Sequence, residues 1–355
     1  MGNKWVILSM GSFSPTYIKQ LSFSPSTVWL ISQCSESRGK QELWNKVRPE
    51  VLQSLKESSI IQSVESSNRI EGVEVEKKRL IPLVLGKSKP RDRSEEEISG
   101  YKKALNYIHQ NFRDIEINKE TILKLHSLAQ GGMISDAGKW KTKDNDIIEI
   151  SPKGERKIRF VPVTAKQTPK SIEQLCLGYK DVVSNSLLPD LICVSNFVFD
   201  FLCIHPFRDG NGRVSRLLNL LLLYQQGFEV VRYISLEKIV ENSKEDYYRV
   251  LNESSRGWHQ NQHLLQPWWN YQLSILKSAY QDLRERMELT PGSDSHSSLI
   301  RQTVSSFLIP FGVSDIQKLH PSLDREIIKK VLFKLRDEKQ LKLLGKGRGA
   351  KWMKI

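Results

Sequence analysis

Two neighbouring segments limit what this chain can fold into. Asp190 to Ile204 is apolar on nearly every face (Leu191, Ile192, Val194, Phe197, Val198, Phe201, Leu202, Ile204), and the stretch from about Gly212 to Gln226 is equally apolar. A helix that is hydrophobic all round has to be buried all round. The run Leu217 to Tyr224 is broken by Asn219 and is too short to span a bilayer. These segments are therefore expected to be central helices of a globular core, with Gly227 capping the second. At 355 residues the chain exceeds what one core usually serves, so a large unit and at least one smaller one are expected. Hydrophobic residues at 39% and charged residues at 26% exclude a collagen, a disordered tail or a membrane bundle.

The rest of the sequence supplies helices to surround that core. Residues 1 to 40 are Ser-rich and interrupted by Pro15 and Pro25, and are expected to form an arm of low order. Trp5 to Met10 lacks the length and cleavage site of a signal peptide, and Val6 stands where a myristoylation signal wants Ser or Thr. A helical region over 41–130 follows. Trp44, Val51, Leu52 and Leu55 recur at helical spacing, and a second helix runs through Ile60 to Ile70 and stops at Gly72. Ser94 with Glu97 has the form of a capping box. Another helix, from about Asn118 to Ala129, ends at Gly131-Gly132. The period then changes. Residues 146 to 163 read as two short strands around the turn Ser-Pro-Lys-Gly-Glu-Arg. Helices resume at Ser171 to Ser184 and continue through Tyr248 and through Trp268 to Met287. The expected class is all-helical with one hairpin, its core over 131–288.

Between the two apolar helices stands His205-Pro206-Phe207-Arg208-Asp209-Gly210-Asn211-Gly212-Arg213-Val214-Ser215-Arg216. Pro206 ends the first helix, since it lacks an N–H and keeps His205 out of the α region. Gly210 and Gly212 permit a tight turn and a close backbone approach to a ligand. The free N–H groups and dipole of the next helix make an anion site. Arg213 and Arg216, three apart, fall on one face and are both expected to reach an oxyanion. Asp209 offers the hard oxygen that a phosphate-bridging Mg²⁺ prefers. His205 is the group able to take a proton near neutral pH. Cradle, metal carboxylate and base within twelve residues point to phosphoryl or nucleotidyl transfer.

This stretch resembles the signature of the Fic-domain adenylyltransferases, His-x-Phe-x-(Asp/Glu)-Gly-Asn-(Gly/Lys)-Arg-x-x-Arg, at every fixed position. The resemblance implies an all-α Fic fold and transfer of AMP from ATP to a Tyr, Thr or Ser hydroxyl of a protein, with release of pyrophosphate. By position, His205 would deprotonate the hydroxyl, Phe207 would anchor the loop and Asp209 would hold Mg²⁺. Asn211 and the backbone from Gly210 to Gly212 would contact phosphate, and Arg213 and Arg216 would complete the cradle. The hairpin resembles the family's flap, which clamps the target as an added strand. Gly138-Lys139-Trp140-Lys141 departs from the family's Gly-x-Tyr-Arg, which puts a bidentate role there in doubt. Asn242, Tyr247 and Tyr248 resemble positions lining the adenine and ribose pocket. Ser67-Asn68-Arg69-Ile70-Glu71-Gly72 is similar to the inhibitory motif (Ser/Thr)-x-x-x-Glu-(Gly/Asn) of the second class, whose Glu71 would pair with Arg216. The likeness covers roughly residues 40 to 285.

The sequence carries a net charge of +14, and from Arg301 onward 13 Lys and Arg stand against 5 Asp and Glu. Leu289 to Ser298 reads as a linker, so 295–355 is expected to be a small separate unit. A helix from Val313, a second over Asp324 to Leu335, and strands over Leu341 to Leu344 and Ala350 to Met353 around a Gly-Lys-Gly-Arg-Gly turn resemble a winged helix. DNA binding and protein contact remain equal readings of that unit. Four scattered cysteines fit reduced residues of a cytoplasmic protein, with no membrane partner expected. Self-modification and a homodimer are compatible with the site. Two rival functions stay open: a hydrolase removing AMP at the same site, and a DNA-binding regulator whose Fic domain senses nucleotide.

Overall fold

A computed structural model describes residues 11–354, apart from 48, 132–134, 151–155, 289–294, 308, 322 and 346–349. Helices α1 (Pro15–Gln20), α2 (Pro25–Val47), α3 (Pro49–Ile70), α4 (Lys77–Val84), α5 (Arg93–Asn111) and α6 (Lys119–Gln130) open the chain. The hairpin β1 (Ile147–Ile150) and β2 (Arg156–Phe160) interrupts them. There follow α7 (Thr168–Ser184), α8 (Asp190–Ile204), α9 (Asn211–Gln225), α10 (Leu236–Asn242), α11 (Lys244–Ser255) and α12 (Gln266–Glu288). The C-terminal body holds α13 (Ser295–Ser306), α14 (Val313–Leu319), α15 (Arg325–Asp337), β3 (Leu341–Leu344) and β4 (Lys351–Lys354).

Helix α8 is the axis of the larger body, as its composition requires. Every side chain from Leu191 to Ile204 is buried, and α9, α7 and α12 pack around it. Burial of so many backbone and side-chain polar groups has to be compensated by hydrogen bonds. Two indoles of α12 do this: Trp268 donates to the Ser195 carbonyl at 2.9 Å and Trp269 to Asn196 Oδ1 at 2.7 Å. The hairpin is antiparallel, pairing Ile148 with Ile158 and Ile150 with Arg156, with an irregularity next to Ile147.

The low order expected for residues 1–40 does not hold from Gly11 on. Pro15 and Pro25 are first-turn residues of α1 and α2, where a missing N–H has no consequence. Ser14 and Ser24 cap those turns by accepting from Tyr17 and Thr27 N–H. The segment is also tied to α8: Asp200 accepts from Ser12 N–H at 2.8 Å and from its hydroxyl at 2.7 Å. The expected box at Ser94 is likewise replaced. Asp92 caps α5 by accepting from Glu95 N–H at 2.9 Å, which frees Glu97 for another task. The residues that linked the last helix to the tail are partly helical too, since α13 begins at Ser295. Residues 1–10, Gly132, the hairpin turn 151–155, the rest of that linker at 289–294 and the turn at 346–349 lie outside the described residues.

The C-terminal body has its own core, built on Ile300, Phe311, Ile316, Ile328, Leu332 and Trp352. Strands β3 and β4 pair antiparallel, and Phe311 bridges to Trp352. The body rests on α3. Buried His320 bonds Ser54 of α3 through Nδ1 and Thr303 of α13 through Nε2, each at 2.7 Å.

Burial pushes His109 down to about 3 and His126, His205, His263 and His320 down to about 4. An unfolded histidine titrates near 6.5, so between about pH 6.5 and 4 the unfolded chain binds protons that the fold refuses. Their contribution is complete above pH 6.5 and is lost as pH falls. Asp200, raised by burial to about 7, pulls the opposite way. Five groups against one should set the sign. Urea midpoints are expected to fall steadily from pH 6.5 to 4.5, and a flat profile would show that the histidines are not held neutral.

Candidate active site

Helix α8 ends at Ile204, and His205 turns the chain in a left-handed conformation with φ 51° and ψ 61°. For a residue with a Cβ this corner is strained. The loop after it is held by one aromatic stack and one amide. Phe207 is fully buried between His126 (centroids 3.7 Å apart) and Trp140 (5.2 Å). His126 Nδ1 accepts from Gly138 N–H at 2.9 Å, so its Nε2 carries the proton and donates to the Asp209 carbonyl at 3.1 Å. Asn211 closes the loop on itself, accepting from Phe207 N–H at 2.9 Å and donating to the Phe207 carbonyl at 2.8 Å. Both functions of its amide are thereby used. Asn211 clamps the loop through these bonds, a role beside the phosphate contact that the resemblance implies.

Gly210, with φ 82°, precedes α9 and offers no side-chain cap to the first N–H groups of the helix. A Cβ on Gly210 would stand 2.4 Å from Gln130 Nε2. A Cβ on Gly212 would collide with the carboxylate of Glu71. The Glu71 carboxylate thus lies beside Gly212 in the first turn of α9, where the helix dipole favours negative charge.

The two arginines diverge, contrary to the shared oxyanion contact expected of them. Arg213 is buried and donates to Glu97 Oε2 at 2.6 Å and to Gln130 Oε1 at 3.1 Å. Arg216 donates through Nε to the Ser67 hydroxyl at 2.8 Å. Through Nη2 it donates both to the Ser67 carbonyl at 2.9 Å and to Glu71 Oε1 at 2.8 Å. Burial works against the charge of Arg216, and Glu71 together with the hydroxyls of Tyr101 and Tyr247 more than offsets it, holding the guanidinium pKa up. Ser67, Glu71 and Arg216 come together as the motif suggested.

Asp209 is half exposed at the mouth of the loop, accepting from Gly210 N–H at 2.6 Å and pairing with Arg93 at 2.9 Å. Among the described residues no group of three His, Cys, Asp or Glu could hold a metal ion alone. A single carboxylate beside free N–H groups does suit an ion that completes its shell with phosphate oxygens and water.

His205 is mostly enclosed, with Nδ1 buried and lacking a partner of good geometry. Burial, then the Lys141 ammonium, pushes its pKa down to about 4, partly opposed by the Leu202 carbonyl and Glu71. The imidazole is neutral at physiological pH and able to accept a proton.

Tyr247 is buried and lines a cavity of about 30 Å³ beside Arg216. Tyr248 lies beneath Arg159 of β2, 5.5 Å from guanidinium to ring, which draws the hairpin onto the site. Asn242 ends α10 and is exposed. Its neighbour Glu241 accepts from Ser66 and Arg69 of α3, each at 2.8 Å. Lys141, His126, Gln130 and Glu97 were not foreseen as parts of the site. Of these only Lys141 carried a signal, in the segment before the hairpin.

The Fic/DOC family matches this chain over residues 116–223, which runs from just before α6 to near the end of α9. A protein adenylyltransferase Fic from Nematostella vectensis is 25% identical over 170 residues, or 45% of this chain and 34% of the relative. The match thus spans about a third of that relative's length. A Fic family protein from Desulfovibrio desulfuricans G20 superposes with a TM-score of 0.61 at 18% identity, covering 94% of this chain and 97% of its own. A Fic-domain signaling protein from Bacteroides thetaiotaomicron reaches 0.59 at 20% identity over 71% of this chain and 94% of its own. A Fic-1 fragment from C. elegans reaches 0.58 at 18% identity over 74% and 73%. Residues 116–223 are thus a Fic domain, set in a chain that has the fold of Fic proteins.

Proposed function

We propose that this chain is a self-inhibited protein adenylyltransferase. One observation carries the reading: the Glu71 carboxylate sits against Gly212 at the free start of α9 and bonds Arg216 at 2.8 Å, beside a neutral His205. Carboxylate and phosphate compete for the same donors, so Glu71 holds the place that a triphosphate oxygen would take.

In the active state ATP occupies the mouth over Gly210 to Gly212. A protein hydroxyl attacks the α-phosphorus, its proton passes to His205, and the bond to the β-phosphate oxygen breaks to release pyrophosphate. Asp209 would hold a Mg²⁺ that neutralises phosphate charge. Arg213, locked by Glu97 and Gln130, braces the loop carrying Asp209, 3.7 Å away. The exposed edge of the hairpin, with Ile148, Ile158 and Val161 turned to solvent, is the surface on which a target segment adds as a strand. The target can be the chain itself. The likeness to a protein adenylyltransferase supports AMP transfer, and the cytoplasm is where reduced cysteines and ATP meet. Removal of AMP is the rival use of the same groups, with Glu71 orienting a water. A purely nucleotide-sensing regulator has no need of His205.

The C-terminal body, read as a winged-helix module, presents Lys330, Lys334 and Arg336 on the exposed side of α15. We assign that face to an acidic partner, with DNA as the first to test.

With labelled ATP and Mg²⁺, Glu71→Gly should label itself and its targets far more than wild type. A misplacement of about 1 Å in an in-line transfer costs on the order of 100-fold, so a gain of that order is the expectation. Glu71→Gln should gain less, and Glu71→Gly with His205→Ala should be inactive although ATP still binds. A folded Glu71→Gly no more active than wild type would end the inhibitory assignment; loss of AMP from a labelled target only when Glu71 is present would favour the hydrolase. For the tail, duplex DNA affinity should fall linearly in log salt, with a slope of about −0.9 per phosphate contacted. Lys330→Glu with Lys334→Glu should flatten that slope; no duplex binding at low salt leaves the protein-contact reading.

A further inference from the structure

We propose that Lys141 is a positioning residue for His205, gripping the chain on both sides of the base and presenting a fixed positive charge to its ring. The inference rests on the adenylyltransferase reading only for its effect on rate. Its basis is geometric. The backbone N–H of Lys141 donates to the Pro206 carbonyl at 2.9 Å, the residue after the base. Its ammonium reaches the Ile204 carbonyl at 3.4 Å, the residue before it, and Asn145 Oδ1 at 2.9 Å. One residue therefore spans the left-handed corner where His205 sits at φ 51°. A strained corner persists only when its surroundings over-determine it, and these bonds are what hold this one from outside α8.

Lys141 is buried, 5% exposed. A charge so enclosed is retained here because two oxygens accept from it, one of them the last carbonyl of α8, at the negative end of the helix dipole. Burial nevertheless brings its pKa down to about 8, opposed by Asp144. Charged and polar groups face His205 from each element around it. Lys141 and Arg159 of β2 disfavour the imidazolium, while Glu71 beyond α3 and the Leu202 carbonyl of α8 favour it. Lys141 is the strongest of these four and the one fixed at both ends of the corner. The grip also reaches the hairpin, because Asn145 precedes β1 and Asp144 accepts from Ala165 N–H at 2.7 Å beyond β2. Base and clamp are thereby set in register by one side chain.

The test is a titration of the full-length protein carrying ¹³C-labelled histidine, with the His205 signal assigned by its loss in His205→Gln. In wild type and in Lys141→Arg the ring should stay neutral from pH 8 down to about 5.5. In Lys141→Met and Lys141→Gln its midpoint should move to higher pH than in wild type, and Gln, which keeps a donor without the charge, guards against a Met variant that fails to fold. In a Glu71→Gly background, Met should lower kcat for AMP transfer by about 10- to 100-fold with ATP affinity unchanged. Its acid limb should move to higher pH, and Arg should restore the limb to its wild-type place. A His205 midpoint that does not move in either Met or Gln overturns the proposal, as does an unchanged kcat in folded Met protein. The titration does not depend on which reaction the site runs: a shifted ring with no AMP transferred by any variant would sink the enzymatic reading and leave the role of Lys141 standing.

Discussion

Helix α8 has no face turned to water, and the chemistry hangs from its C-terminal end. A helix buried on every side cannot tilt or slide without opening contacts all round, so the corner at His205 inherits the rigidity of the core. The loop beyond it adds no freedom. Phe207 is stacked between two rings, and the two hydrogen bonds of Asn211, each worth about 1 kcal/mol net, close the turn that delivers Gly210 and the bare start of α9. A loop that has to present backbone N–H groups to a charged ligand gains from being fixed before the ligand arrives, because ordering it on binding would reduce affinity.

Buried arginines then decide which other helices the site needs. Removing the partner of a buried ion costs about 3–5 kcal/mol, so each guanidinium has to bring a carboxylate with it. Arg213 takes Glu97 from α5, and Arg216 takes Glu71 from beyond α3. The first pair is almost fully enclosed; the second leaves Glu71 29% exposed. That difference separates their uses. An enclosed pair is permanent architecture, whereas a carboxylate open on one side can be exchanged for another anion with less loss of contact.

Much of this was legible in the sequence because the signals were local. The all-apolar periodicity of 190–204 and 212–226, the Pro206 stop, the Gly210 turn and the alternation around the hairpin each reside in a few consecutive residues. The pairing of Glu71 with Arg216 was reached through a motif on each side. What escaped depended on distance in the chain. Ser-Pro at 14–15 and 24–25 looks the same whether it breaks structure or starts a helix, and only the contacts of Ser12 with Asp200 decide. Glu97 three residues after Ser94 looked like a cap until Asp92 took that role and Arg213 claimed the carboxylate. Asn211 looked like a ligand group because an amide one residue from a Gly-x-Gly turn can serve either the loop or the ligand. Adjacency in sequence does not say which way an arginine turns, so the three-residue spacing of Arg213 and Arg216 misled as well.

The hold that Glu71 has on the site is larger than one ion pair. Taken alone, one carboxylate sets a single charge against the several that a triphosphate carries. The end of α3 is pinned by further contacts that have nothing to do with phosphate. Ser66 and Arg69 both bond Glu241 of α10, Lys244 donates to the Ile70 carbonyl at 2.7 Å, and Ser63 donates to Glu237 at 2.8 Å. At its other end the same helix meets His320 through Ser54. These contacts fix where Glu71 stands before any competition begins, so the carboxylate arrives at Arg216 without an ordering penalty of its own. On the self-inhibited reading proposed above, release would depend on how firmly α3 is seated, and a substitution at Ser66, Arg69 or Glu241 would act on the pairing of Glu71 with Arg216 from outside it.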